Sequence, residues 1–138
     1  MANRVDDTSV GDQELLWRRI LDRPMEWWTE REDGSIRPSS AAFKDSANEV
    51  SVNVASQTTQ SAILKDYEPN GLVSIPASLP RSLDHIVAAT NEPDDPDDPS
   101  HRVICPSEHL GRKGRMKAAK AMAMQASWLV LPQSRRGV

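Results

Sequence analysis

The sequence predicts an α+β domain: a small, mostly antiparallel sheet of about four strands packed by an N-terminal and a C-terminal helix. Three observations lead there. Glu49 to Ala55 alternates apolar and polar side chains around Val50, Val52 and Val54, the period of a strand with one buried face. Three further short runs, 72–76, 85–90 and 101–105, are rich in β-branched residues and separated by turn-forming residues. Near both ends of the chain the apolar residues recur at helical spacing instead, so helices flank the strands rather than alternate with them.

Taken in order, residues 1–11 are polar and aperiodic and read as a flexible arm, leaving a single domain over 12–132 and a flexible tail over 133–138. Asp12 is placed to cap a helix carrying Leu15, Leu16, Ile20 and Leu21, with Pro24 ending it. Trp17, Trp27 and Trp28 fall within twelve residues; indoles so grouped close a small core or stack on bases. Asp33-Gly34 is a turn pair. After the strand of 49–55, Thr58 or Thr59 caps a short helix through Tyr67, and Pro69-Asn70-Gly71 stops it. A helical turn over Ser78–Leu83 precedes the third strand. The run Asn91–Pro99 alternates proline with acidic pairs, which stiffens a loop but lacks the glycine turn and late bidentate carboxylate of a calcium site. The last helix spans about Met116 to Ala126, with Met116, Ala119, Met122, Ala123 and Ala126 inward and Lys113, Lys117 and Lys120 in water. Trp128-Leu129-Val130-Leu131 packs back as an apolar end piece.

Composition narrows the function. The chain has 138 residues, enough for one core, and a formal net charge of -3. Its charge is split: residues 1–99 carry 19 acidic and 9 basic side chains, and residues 100–138 carry 8 basic side chains and Glu108 alone. That basic end meets phosphates, an acidic partner, or the acidic body of its own fold. A single cysteine, Cys105, rules out an internal disulfide and a cysteine-clustered zinc site and fits a reducing, cytoplasmic setting. The opening residues carry no apolar run of the signal-peptide kind, and no stretch reaches membrane-span length. No cofactor is expected: Gly111-Arg112-Lys113-Gly114 has neither the spacing nor the Lys-Ser/Thr of a P-loop.

The stretch Arg37-Pro38-Ser39-Ser40-Ala41-Ala42-Phe43-Lys44-Asp45 concentrates an arginine, two hydroxyls, the sole phenylalanine and a carboxylate in nine residues. As a site, Arg37 holds an anion, Ser39 or Ser40 bonds or attacks a ligand, and Asp45 orients or deprotonates. As structure, the serines cap a helical turn, Phe43 anchors it, and Arg37 pairs with Asp45. If the chain is an enzyme, Arg37, Ser39, Asp45 and His101 are its candidates, acting on a phosphorylated or nucleotide substrate. His85 lacks a hydroxyl two residues on and reads as structural. The competing readings are a non-catalytic protein-interaction or accessory subunit and a nucleic-acid-binding regulator using Lys113, Lys117 and Lys120.

Leu16-Trp17-Arg18-Arg19-Ile20, Arg37-Pro38-Ser39-Ser40 with Ala42-Phe43 and Asp45, the Val-Ser-Val strand, Gly71-Leu72-Val73-Ser74 and the proline-rich approach to His101 together resemble a group of short uncharacterised bacterial proteins. The likeness runs over about residues 15–131. It implies one compact domain and a bacterial source. It also implies a place beside other products of multi-gene operons, conflict or defence systems among them, and it implies no activity.

Overall fold

Leu15 to Ile20, expected as the first helix, is one of the two middle strands of the sheet. The computed structural model describes residues 4–44, 48–90 and 98–136. Its eight strands are β1 (Leu15–Ile20), β2 (Trp28–Glu30), β3 (Ile36–Pro38), β4 (Val50–Val54), β5 (Gly71–Pro76), β6 (His85–Ala89), β7 (His101–Pro106) and β8 (Ser127–Val130). Its three α-helices are α1 (Gln60–Leu64), α2 (Ser78–Ser82) and α3 (Arg112–Gln125). The class is α+β, and the main sheet is antiparallel throughout, with six strands in the order β6-β7-β4-β1-β5-β8 rather than the expected four. β2 and β3 form a separate hairpin.

The correction at β1 has a simple physical cause. Leu16 and Ile20 are four residues apart, a spacing that lies on one face of a helix and equally on one face of a strand. Tertiary pairing decides between them: β1 pairs with β5 over six residues and with β4 through Leu16↔Val54 and Trp17↔Asn53. Cross-strand register then places Leu16, Ile20, Val54, Val52, Val50, Val73, Ile75, Ile104 and Val87 on one face, and all of them are buried. Among the described residues no N-terminal helix covers that face. Ala118, Ala119, Met122 and Ala123 of α3 join its cluster, together with Leu79 of α2, Trp28 and Ile36 of the hairpin, and Phe43. Met116, expected on the inward stripe, is exposed.

The hairpin turns at Gly34, whose φ of 88° suits a residue without a side chain. It is tied to the sheet's β8 edge by Trp128, whose indole N–H donates to the Ile36 carbonyl at 2.9 Å. α1 begins as expected, with the Thr59 hydroxyl accepting from the Ala62 amide at 3.1 Å. The opposite sheet face is thinner, carrying a small cluster of Ala88, Val103 and Cys105.

Residues 4–10, read from the sequence as an arm, run along the outer edge of β6. The Asp7 amide donates to the Val87 carbonyl at 2.7 Å, the Val87 amide donates to Asp6 at 3.0 Å, and Val10 is 1% exposed. Arg81 bonds Asp6 at 3.0 Å and Asp12 at 2.8 Å, and Arg102 bonds Asp7 at 2.9 Å. The tail is held in a similar manner: Ser134 bonds Asp22, and Arg135 reaches the Gly34 carbonyl and Glu30.

Candidate functional site

The candidates from the sequence do not share one pocket. Arg37 is exposed in β3, on the hairpin. Ser39 holds the corner shut: its hydroxyl donates to the Glu26 carbonyl at 2.6 Å and its amide to the Trp27 carbonyl at 2.9 Å. It precedes the 3-10 turn of Ser40–Phe43 without making a side-chain cap. Phe43 is buried in the main core, and Asp45 lies outside the described residues, as does any Arg37–Asp45 pair. His101 opens β7 and lines a polar groove with Arg18, Arg19, Tyr67 and Asp98, a groove whose lining includes neither Arg37 nor Ser39.

Within that groove both arginines are occupied. The Arg18 guanidinium donates to the carbonyls of Ala42 and Ser51 and lies 5.3 Å from the Trp27 ring, while Arg19 sits 3.8 Å over Tyr67. Asp98 accepts from Asn53 and from Ser100, which organises the approach to β7. Most of the acidic run, residues 91–97, lies outside the described residues. Among the described residues no group of three or more His, Cys, Asp or Glu side chains is placed to hold a metal, and no helix is long and apolar enough to cross a membrane. Lys113, Lys117 and Lys120 are exposed on α3.

A different place combines apolar surface with charge. Because neighbouring strands are antiparallel, the start of β4, the end of β7 and the start of β6 meet at one end of the sheet, and the first turns of α3 lie beside them. Between them is a cleft of about 290 Å³. Val50, Ile104, Phe43 and Met122 supply its apolar wall; Lys44, Arg112 and Arg115 supply its charge. Arg115 gives one N–H to the Leu110 carbonyl at 3.0 Å. Lys44 and Arg112 are exposed, and their side chains have no hydrogen-bond or ion-pair partner among the described residues. Among the described residues no carboxylate lines the cleft. The adjoining helix start adds to the positive field, since α3 has Gly111 at its cap, no side-chain cap and no acidic residue in its first turn.

His85 is the buried polar member of the lining, 8% exposed. Its Nδ1 lies 2.8 Å from the Leu83 carbonyl, an atom that only accepts, so Nδ1 carries the proton and Nε2 is left as an acceptor in the neutral ring. Burial pushes its pKa below the usual histidine value, with nearby Arg115 acting in the same direction and the Leu83 bond and Asp84 opposing. Two non-glycine residues in the left-handed region stand at this end of the sheet: Asn48, in the lining, at φ 61° and Asp84, just before His85, at φ 60°.

Sequence reasoning set His85 aside as structural and weighed Arg112 only against a P-loop. The available signal was an uncapped helix start with arginines and no acid in its first turn. No protein-family model, curated protein or solved structure matches the chain.

Proposed function

We propose that the protein is a non-catalytic interaction module, an accessory subunit that takes hold of an anionic group of its partner at the cleft between α3 and the β6-β7-β4 end of the sheet. The composition of that cleft carries the reading. Its lining offers apolar surface, three cations and a neutral imidazole, and among the described residues it holds no hydroxyl, thiol or carboxylate to attack a substrate or to pair with the imidazole. The scatter of Arg37, Ser39 and His101 over the hairpin, the corner and a separate groove speaks in the same direction. The bacterial resemblance extends the proposal to a companion of a multi-gene, defence-type system acting in the cytoplasm.

The test is capture of partners from the source cells, identified by mass spectrometry, with the wild-type chain and two variants. Lys44→Glu with Arg112→Glu should abolish capture of a defined partner that Arg37→Ala retains. Two results would overturn the proposal. One is turnover of phosphoester substrates that disappears on His101→Ala. The other is salt-dependent binding of nucleic acid lost when Lys113, Lys117 and Lys120 become glutamine while the cleft variant still binds.

A further inference from the structure

The size and charge of the cleft also define an occupant. Resting on the reading of the cleft as the binding site, we propose that the anionic group it receives is an organic carboxylate of about ten non-hydrogen atoms in all, with its apolar part against Phe43, Val50 and Met116 and its charge toward Lys44 and Arg112. The volume carries the size: about 290 Å³ is room for about ten water-sized groups. The wall carries the body: Phe43, Val50, Ile104 and Met122 line its floor, and Met116, exposed beside them, adds hydrocarbon and thioether surface.

The charged groups carry the anion. Lys44 and Arg112 hold donors that no described carboxylate takes up, and Arg115 commits one N–H to the Leu110 carbonyl. A cation of the same size would meet repulsion from all three. A neutral apolar molecule would leave those donors unused, and inorganic phosphate would leave the apolar wall wet. His85, buried in the same lining and bonded only through Nδ1, offers an edge where a carboxylate can draw a proton onto Nε2.

Isothermal titration of the full chain with octanoate, 1-octanol and inorganic phosphate separates these contributions. Octanoate should bind with one-to-one stoichiometry, at least about tenfold more tightly than either of the others, and Lys44→Gln with Arg112→Gln should weaken it by about tenfold. Both substituted side chains are exposed, so folding is preserved and is checked by circular dichroism. Octanol binding as tightly as octanoate, octanoate binding insensitive to the double substitution, or no octanoate binding would each overturn the assignment of the occupant. If octanoate fails while partner capture still depends on Lys44 and Arg112, the occupant alone is wrong. If capture is also indifferent to them, the cleft itself is not the contact site.

Discussion

Replacing Asp7 tests whether the segment before β1 belongs to the fold. Asp7 accepts from Arg102 Nε at 2.9 Å and from the Ser9 amide and hydroxyl at 3.0 and 2.6 Å. The two charged side chains are 19% and 11% exposed, so the pair is largely shielded from water. Removing one member of a well-buried pair costs about 3–5 kcal/mol. Here Arg102 keeps two carbonyl acceptors, Pro99 at 2.7 Å and His101 at 2.9 Å, so Asp7→Ala should cost about 2–3 kcal/mol. For 138 residues the unfolding entropy near the midpoint is about 0.3 kcal/mol/K, which turns that loss into a Tm lower by about 7–10 °C. Asp7→Asn, which retains an acceptor without the charge, should fall between wild type and Asp7→Ala. The pH dependence has a definite sign. The Ser9 hydroxyl bond, then the Ser9 amide and Arg102, hold the Asp7 carboxyl below its usual range against the opposing effect of burial. Its stabilisation is therefore complete above the ordinary aspartate pKa and is lost as pH falls through the depressed one, a component absent from Asp7→Asn. Calorimetry at neutral and acid pH reads both effects. A shift under about 2 °C for Asp7→Ala, the scale of an ordinary surface change, would refute the integration of residues 4–10.

Three further outcomes follow from the coordinates. At Gly71 an added Cβ would lie 2.9 Å from the Trp128 ring and the Val130 carbonyl and 3.0 Å from the Pro132 nitrogen, so Gly71→Ala should lower stability by about 1–3 kcal/mol and alter Trp128 fluorescence. Burial, followed by the Glu49 charge, pushes the Cys105 thiol up to about 11; alkylation by iodoacetamide at about pH 8 should be slow in the folded protein and fast in urea. Because burial lowers the His85 pKa, the unfolded chain takes up its proton first as pH falls from about 7.5 to about 5.5. Wild type should therefore lose more Tm over that interval than His85→Gln, and equal losses would contradict the buried neutral ring.

Local chemistry was legible where one short segment decides the outcome. Val50, Val52 and Val54 announce β4, Asp33-Gly34 announces the hairpin turn, and Thr59 announces the start of α1. The chain is ambiguous where pairing partners decide. The spacing of Leu16 and Ile20 satisfies both periods, and Trp128–Leu131 becomes mostly a strand because β5 receives it. The cleft was hidden for a stronger reason. Lys44, His85 and Arg112 come from three distant segments, and only the order β6-β7-β4 beside α3 brings them together. The Ser39 hydroxyl shows the converse, for a local capping pattern yielded to a longer-range bond with Glu26.

The contact between the opening segment and β6 has a consequence for biosynthesis. Asp6 leaves the ribosome before Val87, and its acceptor role toward that residue must wait for 81 more residues to emerge. β1 meets its nearer neighbour β4 well before that, so the middle of the sheet can assemble while residues 4–10 are still searching. Closure of that border can therefore follow the pairing of β1 with β4, and until it happens the backbone of β6 offers an open seam to any strand that passes.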